Sequence, residues 1–157
     1  IFDKIEKVIG SDLRLFFFKQ GYLENLSTIK SVKKRHRLFF LLSSPNINCS
    51  TREIFSKETR YSKKNRFRSK KINSSKKFIK YISGQNNELQ SIVEKKYPII
   101  KTLLIDIKRE RGCYFSRMTG SGSVCYGIFN SESNAKKALD KIKTKHPKFW
   151  FSIAKTV

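Results

Sequence analysis

The apolar residues of this chain change period several times after residue 38, and that alternation restricts the folds open to it more than any other feature. Leu38-Phe39-Phe40-Leu41-Leu42 is a continuous apolar run of strand length, stopped by Ser43-Ser44-Pro45-Asn46. Helical spacing follows in Leu89, Ile92, Val93 and Tyr97, and again in Ile100, Leu103, Leu104 and Ile107. Pro98 stands between the two sets. Proline fits the first turn of a helix and breaks an interior, so the stripe predicts two helices jointed at Tyr97-Pro98, the second closed by Gly112. Period two takes over in Tyr114–Met118 and Val124–Phe129, with Val124, Tyr126 and Ile128 expected on one face and Cys125 and Phe129 on the other. Ala135, Ala138, Leu139 and Ile142 return to helical spacing behind Ser131, a residue type that caps helix starts. Pro147 closes that helix, and Phe149, Phe151 and Ile153 alternate in a last strand. The order β–α(α)–β–β–α–β predicts an α+β fold of the ferredoxin-like, split βαβ kind: an antiparallel sheet with helices on one face.

The rest of the chain is less regular. Phe2, Ile5, Val8 and Ile9 read as an amphipathic helix already under way at Ile1, so the chain reads as lacking its beginning. Gly10-Ser11 punctuates it, Leu13–Phe18 is apolar, and Lys19-Gln20-Gly21 reads as a turn. Ser50-Thr51 ahead of Glu53, Ile54 and Phe55 is a helix start. From 56 to 80 Lys and Arg crowd together with Glu58 as the only acid, and Tyr61, Phe67 and Phe78 interrupt without steady period. That stretch reads as a long loop holding at most one weak helix.

Thirty-five Lys plus Arg against twelve Asp plus Glu give a net charge of +23. Such an excess favours polyanionic partners, nucleic acid among them, but heavy use of Lys, Asn, Ile and Phe equally suits an A+T-rich coding sequence that loads a solvated surface with charge. Three cysteines without C-x-x-C spacing argue against a disulfide framework and fit a reducing cytoplasm. Neither Leu15–Phe18 nor Leu38–Leu42 is long enough to span a bilayer, and no secretory leader opens the chain.

Thr119-Gly120-Ser121-Gly122-Ser123 is the sharpest local feature. Two glycines between strands can take positive φ and turn successive N–H groups into an anion-binding nest, with three hydroxyls beside them. An ordinary hairpin turn explains the same residues. The loop lacks the Lys-Ser/Thr pair of a P-loop and the G-x-G-x-x-G spacing of a dinucleotide site. Asp12, between a Gly-Ser pair and an apolar run, is either a turn or cap residue or a functional carboxylate. His36 and His146 lie far apart in basic surroundings, and no His, Cys or carboxylate cluster has metal-ligand spacing. Cys113 and Cys125 fall on expected strands, as core thiols would. Basic residues and aromatics between Arg60 and Lys80 suggest a phosphate-backbone track, but Arg111-Gly112-Cys113-Tyr114-Phe115 matches only part of an RNA-recognition strand motif.

Ser116-Arg117-Met118-Thr119-Gly120-Ser121-Gly122-Ser123 resembles motif 3 of the GHMP kinases, and further matches follow in the family's order. Gly10-Ser11-Asp12 before Leu15-Phe16-Phe17 is similar to its Gly-Ala/Ser-Asp-Val-Pro-Phe stretch. Pro45 with Ser50-Thr51 and Phe55 is similar to its Pro-Gly…Ser-Thr…Phe segment. Asn87-Glu88-Leu89 with Tyr97-Pro98 resembles its Asn-Asp-Leu…Tyr-Pro helix pair, and Pro147-Lys148-Phe149-Trp150-Phe151 its Pro-x-Trp-Trp strand. Within the family the resemblance is greatest to the branch acting on 4-diphosphocytidyl-2-C-methyl-D-erythritol.

The resemblance implies a cytoplasmic, ATP- and Mg²⁺-dependent kinase of non-mevalonate isoprenoid synthesis that phosphorylates the 2-hydroxyl of that small-molecule substrate. It places Asp12 as catalytic base and Thr119, Gly120, Ser121, Gly122 and Ser123 at the nucleotide's phosphates. It makes residues 1–35 the tail of an N-terminal domain and 36–157 the C-terminal domain, with a basic irregular insert at about 56–82. The family's Gly-Leu-Gly phosphate loop and N-terminal Lys have no counterpart here, Arg14 replaces a proline, and a Gly-x-Gly-Glu turn survives only as Gly21-Tyr22-Leu23-Glu24. A separately encoded N-terminal half is therefore an expected partner, and a membrane is not. A basic nucleic-acid-binding module and an inactive kinase remnant are the competing expectations.

Overall fold

The computed structural model describes residues 17, 20–23, 28–31, 35–57, 72 and 74–156. The expected opening helix, the Gly10-Ser11-Asp12 stretch and most of the basic tract (58–71 and 73) lie outside the described residues. The chain divides into two compact units, one of residues 1–37, 64–78 and 156–157 and one of 38–63 and 79–155.

The larger unit is built on a four-stranded sheet of β3 (Phe39–Ser44), β4 (Cys113–Met118), β5 (Cys125–Phe129) and β6 (Trp150–Lys155), in the order β4-β5-β3-β6. Every neighbouring pair is antiparallel. β5 and β6 are thus parallel to each other with β3 between them, as are β3 and β4 across β5. This is the expected split βαβ arrangement. Register settles the faces: Leu41 lies opposite Gly127 and Ile153, and Ser43 opposite Cys125 and Phe151. Cys125 and Phe129 accordingly share the core face, while Tyr126 and Ile128 share the other with Phe40 and Phe115.

The helices follow their sequence signals. In α1 (Thr51–Ser56) the Ser50 side chain caps the Glu53 amide. A short α3 (Gln90–Lys96) gives way at Tyr97 to α4 (Pro98–Arg109), which carries Pro98 in its first turn. Ile100, Leu103, Leu104 and Ile107 form its buried stripe. α5 (Glu132–Lys145) starts at Ser131, whose hydroxyl accepts from Asn134, and buries Ala135, Ala138 and Ile142. One core of these stripes with Leu41, Met118, Cys125 and Phe129 joins the helices to the sheet.

Two segments differ from expectation. α2 (Ser75–Ser83) forms inside the stretch read as a loop. Phe78, Tyr81 and Ile82 have helical spacing there, but the lysines around them mask it. Gly21 opens β1 (Gly21–Leu23), which pairs antiparallel with β2 (Ile29–Ser31) in the smaller unit. Three residues are too few for alternation to register in a sequence. In that unit His36 is 1% exposed, its ring stacked on Phe78 at 4.4 Å and its amide bonded to Gln20 Oε1 at 2.9 Å. No described helix is long and apolar enough to cross a membrane.

Candidate functional site

Residues 119–124 join β4 to β5. Thr119 N donates to Val124 O at 2.9 Å, and Gly122 N to Thr119 O at 3.1 Å, closing a tight turn. Gly120 and Gly122 both take positive φ, 56° and 91°. They serve different ends. A side chain built on Gly120 would meet nothing within 4 Å, so the backbone there is open to a ligand. One built on Gly122 would lie 3.0 Å from Met118 Sδ and 3.2 Å from Cys49 Sγ, so this glycine lets the loop close on the core. A cis peptide bond joins Gly122 to Ser123. Among the described residues no acceptor engages the amides of Gly120, Ser121 or Ser123.

Three other segments hold the loop. Thr51 Oγ1, at the start of α1, lies 2.8 Å from Ser121 Oγ. Ser44 Oγ, at the end of β3, lies 3.3 Å from Ser123 Oγ. Ahead of α3, Asn87 Nδ2 donates to Met118 O at 3.0 Å and Gly120 O at 2.8 Å, and Gln90 Oε1 accepts from Met118 N at 3.0 Å. α1 also carries Phe55, a ring 56% exposed.

Glu53, one turn beyond the cap of α1, is bonded by Lys57 at 2.8 Å and Lys96 at 2.6 Å. Those bonds hold its carboxyl at about 2 and push Lys96 up. The thiols are poor nucleophiles: burial pushes Cys125 up to about 12 and Cys113 to about 11, and also raises Cys49 against the pull of Lys96. Among the described residues no three His, Cys, Asp or Glu side chains form a group able to hold a metal ion. His146, the C-cap of α5, pairs instead with Asp106 at 2.9 Å and stacks on Phe149.

The structure thus places Thr119, Gly120, Ser121, Gly122 and Ser123 in one loop, and Asp12 lies outside the described residues. Sequence reasoning gave Thr51 and Asn87 a place in a resemblance but no contact, and it passed over Gln90. The available signal was a polar Asn-x-x-Gln spacing at a helix start, where side chains rather than periodicity make the bonds.

Residues 71–148 match the family model described as GHMP kinases C terminal. Across 98% of its length the chain is 33% identical to a protein of Pelagibacter ubique (strain HTCC1062) named 4-diphosphocytidyl-2-C-methyl-D-erythritol kinase, of which it covers 54%. It is 38% identical to a protein of the same name from Wolbachia pipientis wMel, over 64% of this chain and 34% of the relative. A crystal structure of 4-(cytidine 5'-diphospho)-2C-methyl-D-erythritol kinase superimposes with a TM-score of 0.69 at 15% identity, over 98% of this chain and 56% of that one. That likeness shows the fold. The chain spans about half the length of the Pelagibacter relative and less of the Wolbachia one.

Proposed function

Because the chain belongs to the GHMP kinases, whose C-terminal domain it carries, we propose that it is the C-terminal portion of an ATP-dependent kinase acting on 4-diphosphocytidyl-2-C-methyl-D-erythritol. The observation that carries this reading is the Thr119–Ser123 loop, whose Gly120, Ser121 and Ser123 amides are unengaged and whose backbone is open at Gly120, so that it offers donors to an oxyanion. Phosphoryl transfer needs little else from a protein than aligned reactants and fixed donors for the phosphate oxygens.

In this mechanism Gly120, Ser121 and Ser123 hold phosphate oxygens of ATP, and the Ser121 hydroxyl is kept in place by Thr51. Asp12 takes the proton of the substrate's 2-hydroxyl as that oxygen bonds to the γ-phosphorus and the bond from the γ-phosphorus to the β-phosphate bridging oxygen breaks, leaving ADP. Phe55, exposed on the helix that touches the loop, has the shape to stack on a nucleobase. Mg²⁺ neutralises phosphate charge when bound, and it would arrive on the nucleotide: Glu53, on the helix beside the loop, is already engaged by two lysines. The separately encoded N-terminal half and a cytoplasmic setting belong to the same proposal, as does a C-terminal domain over residues 36–157.

The RNA-module alternative meets a physical obstacle. Phe115, the ring at the motif position, is 8% exposed, with the Arg117 guanidinium 4.7 Å over it. Such a ring offers no face for a base.

The test is ATP-dependent formation of phosphorylated product followed by phosphorus NMR, with this chain alone and with the first half of the Pelagibacter relative supplied in trans. Product that vanishes with Asp12→Asn is expected. Absence of product in both mixtures contradicts the proposal.

A further inference from the structure

We propose that Asn87, with Gln90 beside it, is a positioning residue that fixes the Thr119–Ser123 loop in its anion-accepting form by taking the Met118 and Gly120 carbonyls and leaving the Gly120, Ser121 and Ser123 amides unengaged. The topology makes such a residue necessary. β4 is an edge strand, so its outward N–H and C=O groups have no neighbouring strand. Met118, its last residue, sits where the loop begins. Gln90 Oε1 accepts from its N–H at 3.0 Å, and Asn87 Nδ2 donates to its C=O at 3.0 Å. Two side-chain amides thus stand in for a missing strand at the point where strand becomes loop.

Asn87 then reaches one step further. Its second amide proton goes to Gly120 O at 2.8 Å. Its own orientation is fixed, because Oδ1 accepts from Leu89 N at 3.0 Å and Nδ2 must therefore face the carbonyls. Gln90 is fixed in the same way by donating to Glu94 Oε1 at 2.8 Å. A carbonyl pointing at an incoming phosphate would repel it. By drawing the Met118 and Gly120 carbonyls to one neutral donor group, Asn87 pre-arranges the loop before any ligand is present.

The inference rests on the kinase reading only for the identity of the anion, the phosphates of ATP. Asn87→Asp keeps the Leu89 acceptor but sets a charge against two carbonyls. Asn87→Ser keeps a shorter acceptor for the turn and cannot reach both carbonyls. Amide hydrogen exchange of the full chain reads the loop without ligand. In both variants the loop's hydrogen-bonded amides, Thr119 and Gly122, should exchange roughly tenfold faster than in the wild type, with β3 and β6 unchanged. ATP affinity should fall by a similar factor, and further for Asp than for Ser. Should N87D not fold, N87S decides. Unchanged loop exchange in the variants, or an acceleration spread equally through β3 and β6, overturns the inference. A wild type that fails to bind ATP while the variants still accelerate only the loop removes the kinase reading and leaves the positioning role standing.

Discussion

Thr51 and Ser121, seventy residues apart in sequence, place their hydroxyl oxygens 2.8 Å apart and so tie the first turn of α1 to the tip of the β4–β5 loop. Ser50, the residue before, is already used to cap the same helix. Neighbouring hydroxyls therefore divide the work, one closing the helix and one holding the loop.

Thr51→Val removes that link with little change of shape. The bond is exposed, so its loss is worth about 0.5–1.5 kcal/mol at most. ATP affinity should fall about threefold to tenfold, and the melting temperature by less than about 4 °C. Titration calorimetry and a thermal melt measure the two effects. A melt lowered as far as the affinity would assign Thr51 to stability alone.

The two loop glycines should respond differently to alanine. At Gly120 only the left-handed backbone opposes a side chain, a penalty of about 1–2 kcal/mol. At Gly122 the added carbon also presses on Met118 Sδ and Cys49 Sγ, so Gly122→Ala should destabilise by about 2–4 kcal/mol in urea unfolding. Equal losses at the two positions would disprove the division of roles.

Glu53 and Asp106, with Glu132, are the described carboxylates held below their usual values. Hydrogen bonds from Lys57 and Lys96 hold Glu53 at about 2, below the ordinary 4.5. Burial pushes Asp106 up, but bonds from His146 and Lys145 outweigh it and leave it below its usual value. Folded values below unfolded ones mean stability that is fully present above about pH 4.5 and is lost as pH falls toward about 2. Urea midpoints between those values should drop steeply for the wild type and less so for Glu53→Gln and Asp106→Asn. An unaltered slope in both variants would show that other groups govern acid unfolding.

The buried Cys49 and Cys125 and the half-buried Cys113 should be silent in the folded chain. With Cys125 at about 12 and Cys113 at about 11, and Cys49 raised as well, iodoacetamide at pH 8 should modify none of them quickly. In guanidinium all three cysteines should react. Rapid labelling of Cys49 under native conditions would contradict the packing described beneath Gly122.

Much of the fold was legible because its signals are periodic. Pro98 marks the joint between α3 and α4, Ser131 caps α5, and the alternation around Tyr126 assigns both faces of β5. The Gly120–Gly122 loop was legible as a turn between strands, but whether it is a nest depends on φ and on what faces it, which residue types leave open. α2 escaped because Lys76, Lys77 and Lys80 interleave with its apolar residues and continue the basic run before it, and β1 because three residues carry no pattern. Asn87 and Gln90 escaped for another reason. Their bonds go to backbone groups thirty residues away, at an edge that exists only once the sheet has formed.

The most direct measurement is a titration of the ¹⁵N-labelled chain with ATP, following each backbone amide. The account predicts saturable shifts centred on Gly120, Ser121 and Ser123, weakened by Thr51→Val. Shifts confined to the lysines of residues 63–77 and abolished by modest salt, or no shifts at all at millimolar ATP, would contradict it.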